Sequence, residues 1–280
     1  MNMMQMVAAM VICYFITLTL LSIYRKHINV KVANTIFILV DLVFFFCWNY
    51  AAYLQGWLKT GFMTLGNVSP FIMTLIPLTV FMREKVKQYC NAAIAFLWLG
   101  MFLALMISPE HAYIFNYNID ASFIYTSEAA CHLLASLYGV WLIISGQVEC
   151  NLRNLKRSVI CMYLVIGYGV FLNFMFHKNN FGMDPYNGAA IYMIDVLNSF
   201  EATLVAYLLG VFLVLLIGVQ FGHGLKKLVD EAHGERKIRN SEFEIRNEEF
   251  EAGNSKPEIE VTAQEAEIEE EREVEEVLNG

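Results

Sequence analysis

Residues 202–225 of this 280-residue chain read ATLVAYLLGVFLVLLIGVQFGHGL and contain no Asp, Glu, Lys or Arg. About 20 apolar residues in a helix cross the roughly 30 Å hydrocarbon core of a bilayer, so this stretch is long enough to span a membrane. Comparable runs recur upstream: residues 1–24, 60–82, 88–109, 129–148 and 158–176 carry no charge, and residues 32–58 carry one acid. The runs are continuous rather than alternating, which favours helices over the strands of a barrel.

The fold class that these runs predict is all-α, a polytopic membrane protein with seven transmembrane helices. The predicted spans lie near residues 4–24, 33–55, 62–82, 90–107, 128–146, 158–176 and 196–221. The composition agrees, because 57% of the residues are hydrophobic and only 16% are charged. A soluble domain is about 25% charged, so the composition argues against a soluble globular enzyme.

The distribution of lysine and arginine predicts the orientation, because cytoplasmic loops are enriched in these residues. Eleven basic residues follow the first, third, fifth and seventh spans, namely Arg25, Lys26, Lys31, Arg83, Lys85, Lys87, Arg153, Lys156, Arg157, Lys226 and Lys227. The loops of the other face hold only Lys59 and Lys178. We therefore expect a multi-pass protein of the cell membrane with its N-terminus outside and its C-terminus inside.

The formal net charge of −8 is unevenly distributed along the chain. Residues 230–280 hold 18 acidic and 6 basic residues, whereas residues 1–229 hold 9 acidic and 13 basic residues. Such a density of Glu repels itself and buries little apolar surface, which predicts disorder. The predicted organisation is a transmembrane domain at 1–225, a juxtamembrane cytoplasmic segment at 226–240 and a disordered acidic tail at 241–280. The acidity argues against nucleic-acid binding, and the alternative role of the tail is docking to a basic cytoplasmic partner.

Polar side chains gather at a similar depth in several predicted spans, near the outer leaflet. Glu128 and His132 are four residues apart, as are Asn173 and His177, so each pair lies on one helix face. Single polar residues in a span commonly form hydrogen bonds between helices. The shared depth across several spans favours instead a common pocket in the outer half of the membrane, since ionisable groups there are usually functional.

The chemistry that this pocket offers is general base catalysis by His132, with Glu128 or Glu201 to orient the imidazole. Amides would donate hydrogen bonds to an oxyanion or a lipid headgroup. The catalytic candidates are His132, Ser69 and Glu201, and the substrate-binding candidates are Asn67, Glu128, Asn173, His177, Asn180 and Asp195. The nucleophile stays open among Ser69, Thr64, Cys47 and Cys131. No HExxH motif is present, and we predict neither a metal site nor another cofactor.

Asp41 is a separate polar feature, because it lies near the middle of the second predicted span. A carboxyl group at this depth is expected to pair with a polar group of another helix, which the sequence does not identify. Such a residue would also suit an ion-coupled carrier.

The order and spacing of four short motifs resemble those of the YwaF family of multi-span membrane proteins, which includes animal relatives. The motifs are Leu65-Gly66-Asn67-Val68-Ser69-Pro70-Phe71, then Ser108-Pro109-Glu110, then His132, and finally Asn173 followed by Asn180-Phe181-Gly182. The resemblance covers most of residues 30–220 and not the tail. It implies transfer of fatty acyl groups between phospholipids by a cysteine and a histidine. The family's histidine corresponds to His132, and this chain has Gly66 where the family has its cysteine.

Three functions follow as hypotheses. The first is a lipid acyltransferase-like enzyme, or a degenerate relative that binds lipid without turnover. The second is a transporter or small-ligand receptor that uses the same outer cavity. The third is a non-catalytic membrane scaffold whose acidic tail recruits a cytoplasmic partner. The expected partners are membrane lipids, and no nucleic acid.

Overall fold

The computed structural model describes residues 3–54, 68–107, 121–176 and 199–254, and helices make up nearly all of these ranges. The helices are α1 (Met3–Tyr24), α2 (Val30–Leu54), α3 (Val68–Leu78), α4 (Glu84–Phe96), α5 (Trp98–Ile107), α6 (Ala121–Ile144), α7 (Leu152–Phe176) and α8 (Phe200–Asn254). Within the described ranges no strand occurs, and the predicted all-α class is confirmed.

Each of the seven predicted spans overlaps at least one of these helices. Three of the described helices are long and apolar enough to cross a membrane, at Val30–Tyr50, Leu152–Met175 and Phe200–Gly234. Shorter apolar segments lie at Ala8–Tyr24 and Ala129–Ile144. Helix α3 has 11 residues, and the part of the predicted span that precedes residue 68 lies outside the described residues.

The outward faces of the long helices are apolar, as expected of surfaces that meet lipid. On α2 a stripe of large exposed hydrophobic residues recurs every three or four positions: Val32, Ile36, Leu39, Val43, Phe46 and Tyr50. Helix α8 has a similar stripe at Val205, Leu209, Leu213, Ile217 and Phe221. A helix in water places polar residues on its outer face, so these stripes identify α2 and α8 as helices suited to a membrane.

Asparagine caps extend two helices beyond the uncharged runs that predicted them. The Asn29 Oδ1 atom accepts hydrogen bonds from the backbone N–H groups of Lys31 (3.0 Å) and Val32 (3.3 Å), and α2 begins at Val30. Asn151 accepts a bond from the N–H of Asn154 (2.9 Å), and α7 begins at Leu152. An Asn side chain satisfies donors that the first helical turn leaves unpaired. The basic residues next to these caps are therefore helical.

Helix α6 lies at the centre of the bundle and packs against α1, α2, α3, α4 and α5. Every residue from Cys131 to Ile144 is buried except the half-buried Leu134. A helix that is apolar all round is expected to be surrounded by other elements. Another close pairing is between α4 and α7, and the first turns of both helices line one pocket.

Two glycines hold the break between α4 and α5, which falls at Leu97. A Cβ atom placed on Gly139 of α6 would lie 2.7 Å from the carbonyl oxygen of Ile94 and 2.9 Å from Trp98 Cβ. A Cβ atom placed on Gly218 of α8 would overlap the carbonyl oxygen of Phe96. Both helices therefore approach the backbone of the junction at a distance that only glycine allows.

The chain divides between Val229 and Asp230 into two units, four residues from the predicted boundary at 225. In the second unit, helix α8 continues to Asn254. Residues 241–254 of the predicted disordered tail are thus helical in the structure, and residues 255–280 lie outside the described residues. The spacing of charges favours a helix here, because Glu242 precedes Arg246 by four positions.

Candidate functional site

His132 lies in the middle of the central helix, with 7% of its surface exposed. It follows Ala121, the first residue of α6, by 11 positions, which corresponds to about 16 Å along the helix axis. The sequence predicted His132 one turn inside a span that starts near Glu128. The helix begins seven residues before Glu128, since a helix is not limited to uncharged residues. His132 therefore lies in the middle of its helix and not in the first turns.

Asn173 is fully buried on α7, three residues before the helix ends at Phe176. It therefore lies near an end of its helix, whereas His132 lies in the middle of α6. Ser69 is in the first turn of α3, and Glu128 is within α6. The remaining predicted pocket residues, Asn67, His177, Asn180 and Asp195, lie outside the described residues.

Glu201 lies in the first turn of α8, and its side chain is exposed. Ser199 caps this helix, since its Oγ atom accepts a hydrogen bond of 3.0 Å from the N–H of Ala202. An acidic side chain at this position complements the positive end of the helix dipole. The structure thus places Glu201 at an exposed helix start, an environment that differs from the buried one of His132.

The cysteines that the sequence left open as nucleophiles differ in their surroundings. Cys131 is buried on α6 beside His132, and Cys47 is half-buried on α2. Adjacent residues on a helix point about 100° apart, so Cys131 and His132 face different neighbours.

Another cysteine, Cys150, lies in the connection between α6 and α7. Burial raises the pKa of the Cys150 thiol to about 11, and nearby Lys226 opposes that rise. A thiol with this pKa stays protonated at neutral pH and is a poor nucleophile.

The seam between α2 and α6 carries a line of polar contacts. The Trp141 indole N–H donates to Asn34 Oδ1 at 2.9 Å, and the rings of Phe37 and Tyr138 are 5.3 Å apart. The paired residue numbers rise on α2 as they fall on α6, so the two helices are antiparallel. This register carries on to Asp41, one turn beyond Phe37 on the same face.

Asp41 is fully buried at this seam, and neither of its carboxylate oxygens has a hydrogen-bond partner among the described residues. The Tyr138 side chain interacts with Thr79, which follows α3, and lies within electrostatic range of Asp41. The Thr79 hydroxyl donates to the carbonyl of Ile76 at 2.6 Å. Groups from α2, α6 and the end of α3 therefore meet around one buried carboxyl group. Asp41 was evident in the sequence as a charged residue within a span, whereas Tyr138 and Thr79 were not marked by any sequence pattern.

In contrast to Asp41, two other buried polar groups of the bundle form a hydrogen bond with each other. The hydroxyl groups of Tyr14 on α1 and Ser136 on α6 are 2.9 Å apart and hydrogen-bonded. Buried polar groups generally find partners, because an unpaired one is costly. Asp41 departs from that rule, which makes it a functional candidate.

The start of α4, the start of α7 and the α6–α7 connection enclose a polar pocket of about 280 Å³. Its lining includes Glu84, Glu149, Arg153 and Arg157, and the buried Asn91, whose Oδ1 atom has no hydrogen-bond partner there. Within the described ranges, no group of three His, Cys, Asp or Glu side chains is arranged to hold a metal ion.

The described residues therefore supply two candidate functional groups, the histidine inside α6 and the carboxyl group between α2 and α6. Comparisons of the chain with protein families, curated proteins and solved structures found no match.

Proposed function

We propose that the chain is a seven-span protein of the cell membrane that binds phospholipid and transfers its acyl groups. The observation that carries the proposal is the burial of His132 inside the central helix, at 7% exposure. Ionisable side chains in a membrane interior are rare, and they usually mark a functional site. The sequence resemblance to the YwaF family supports the same activity.

The proposed topology places the N-terminus outside and the acidic C-terminal unit in the cytoplasm. It is supported by the eleven basic residues of one set of connections against two in the other. Helices α4 and α5 together, residues 84–107, form the fourth span in this topology. In the cytoplasm, the acidic unit is available to a basic partner.

His132 would act as a general base that takes a proton from the attacking group and returns it to the leaving group. Because Gly66 replaces the cysteine of the resembling family, we propose direct attack by the hydroxyl of the acceptor lipid. Its oxygen bonds to the ester carbonyl carbon, and the proton passes through His132 to the departing alkoxide. Asn67 would donate to the oxyanion, and Ser69 is the alternative nucleophile within the chain.

The test uses purified full-length protein in liposomes that contain phospholipid with a labelled acyl chain and an unlabelled lysophospholipid acceptor. We expect label to move to the acceptor, and His132→Ala to reduce the rate by a factor of 100 or more, within the range of general base catalysis. The matched control is His223→Ala, since His223 is exposed on α8. Equal transfer by the His132→Ala variant would remove His132 from the mechanism.

A second candidate function is a proton-coupled carrier, and the unpaired carboxyl group of Asp41 favours it. Carboxyl groups within spans form proton relays in pumps and transporters. Asp41 is enclosed by groups of three elements, so a small rearrangement of α3 against α2 would change its access to water. No polar group among the described residues occupies its hydrogen-bonding positions.

Proton flux into liposomes tests this second function. With an imposed membrane potential and an internal pH-sensitive dye, the wild-type protein is expected to acidify the lumen faster than empty liposomes do. Asp41→Asn should lower that rate at least tenfold, because the amide does not carry a proton. Glu84→Gln is the control, as Glu84 is an exposed carboxylate at the start of α4. Flux that is unchanged by Asp41→Asn would exclude Asp41 as the proton carrier.

A further inference from the structure

A groove of about 590 Å³ runs along the seam between α4 and α7 and reaches Phe71 of α3. Its walls are almost entirely apolar, and they include Val86, Tyr89 and Cys90 of α4 and Ile160, Leu164 and Tyr168 of α7. Ligand sites commonly have volumes of about 300–1,000 Å³. From Ile160 to Tyr168 the groove follows α7 for eight residues, about 12 Å of helix.

One end of this groove is charged. Among the described residues that line the groove, Lys85 alone is charged, and it is exposed in the first turn of α4. The Arg157 guanidinium group lies over the ring of Tyr89, 5.9 Å from its centroid, so a second cation stands beside the same end. The groove therefore combines an apolar trough with a cationic head.

The charge balance around this end is strongly positive. Six basic and two acidic residues lie at the starts of α4 and α7 or just before them. The basic ones are Arg83, Lys85, Lys87, Arg153, Lys156 and Arg157, and the acidic ones are Glu84 and Glu149. Both helices also direct their N-terminal N–H groups, and so the positive end of their dipoles, toward this end. An anion is favoured here over a zwitterion.

We propose that the groove binds one anionic phospholipid of the inner leaflet, with an acyl chain along α4 and α7 and the phosphate at Lys85. Basic pockets between transmembrane helices on the cytoplasmic side bind anionic headgroups. The exposed fraction of Leu164 is 70% and that of Tyr168 is 47%, so the trough opens sideways to the bilayer and a lipid chain enters without crossing water. The inference shares the membrane topology of the proposed function and is independent of acyl transfer.

A second groove supplies an internal comparison. It has a volume of about 620 Å³ and is formed by α1, α5 and α8, with Tyr14, Leu18, Phe102 and Leu225 in its lining. None of the described residues that line it is charged. An acyl chain is free to lie in it, and it offers no basis for selecting a headgroup.

The test is native mass spectrometry of the purified full-length protein after exposure to equal amounts of phosphatidylglycerol and phosphatidylcholine with identical chains. We expect phosphatidylglycerol to be retained preferentially. Lys85→Gln should weaken that retention about fivefold, which corresponds to about 1 kcal/mol for one basic residue near the membrane surface. Lys31→Gln is the matched control, because Lys31 is exposed at the start of α2 and does not line the groove.

Two further variants test the trough separately from the charge. Leu164→Trp should fill the groove and abolish the preference for phosphatidylglycerol, whereas Leu18→Trp in the second groove should leave it intact. Equal retention of the two lipids by the wild-type protein would overturn the proposal, as would equal losses from Lys85→Gln and Lys31→Gln. Displacement of the lipid by millimolar glycerol 3-phosphate would show a phosphate site without a chain site.

Discussion

Replacing Gly218 with alanine is expected to lower the free energy of unfolding of the bundle by about 3 kcal/mol, the upper part of the range for overpacked interiors. The added Cβ atom would overlap the carbonyl oxygen of Phe96, which is backbone and has no alternative rotamer. Relief requires α8 to move away from the junction of α4 and α5, and this movement separates the packed surfaces around it. Gly139→Ala should act in the same direction, because its Cβ atom would lie 2.7 Å from the Ile94 carbonyl oxygen.

Gly210→Ala is the control for helix propensity, since Gly210 is in the same helix and a Cβ atom there meets nothing within 4 Å. This variant should be neutral or more stable by up to about 1 kcal/mol, the usual gain from replacing a helical glycine. Thermal unfolding in one detergent, followed by circular dichroism, compares the three variants. Equal unfolding temperatures for Gly218→Ala and Gly210→Ala would contradict the close approach of α8 to Phe96.

Replacing Asp41 with leucine is expected to stabilise the protein by about 2 kcal/mol, although most core substitutions destabilise. The buried carboxyl group has no partner among the described residues, so its removal relieves a desolvation cost and leaves no polar group unpaired. Replacing unpaired or weakly paired buried charge with apolar side chains is stabilising in other proteins. Asp41→Asn should stabilise less than Asp41→Leu, because the amide is still polar.

Ser136→Ala is expected to destabilise the protein in the same measurement. It leaves the Tyr14 hydroxyl without the partner that it has at 2.9 Å, and a loss of about 1 kcal/mol is expected. If Asp41→Leu and Asp41→Asn both lower the unfolding temperature, a bound cation or water must satisfy the carboxylate. Stabilisation together with loss of proton flux would show that the residue is retained for function at the expense of stability.

The sequence was a good guide to where the helices are. Uncharged runs locate a membrane helix because the bilayer excludes charge, and each of the seven runs overlaps at least one helix of the described residues. The ends were less predictable. A cap such as Asn29 or Asn151 adds a turn that contains basic residues, and the search for uncharged residues stops before it.

The positions of individual side chains along their helices, and their neighbours on other helices, were harder to predict. The uncharged run suggests a helix that starts near Glu128, with His132 one turn inside it, whereas α6 begins at Ala121 and has His132 in its middle. The position of Tyr138 near Asp41 had a partial signal in the sequence, since Phe37 and Asp41 on α2 share the spacing of residues on one face. Finding it required knowing that α6 is the neighbour, and a hydrophobic run does not say which helix it will pack against.

The break at Leu97 and the groove beside α4 had no sequence signal of their own. Neither proline nor a charged residue marks the break, which is instead held by Gly139 and Gly218 from two other helices. The groove depends on two helices lying side by side with Lys85 at their common end. Such features belong to pairs of helices and become visible only when the packing is known.

The central position of α6 has a consequence for how the protein is made. Helices α1, α2 and α5 each have α6 as their main packing partner, yet all three precede α6 in the chain and leave the ribosome first. Domains fold as they emerge from the N-terminus, and helices in a bilayer insert before they associate. In the proposed topology, α1, α2 and α5 therefore wait in the membrane for their main partner. A protein truncated before residue 121 is expected to insert into the membrane without forming the packed bundle. The nascent chain is therefore most exposed to quality-control proteases before residue 144 has been synthesised.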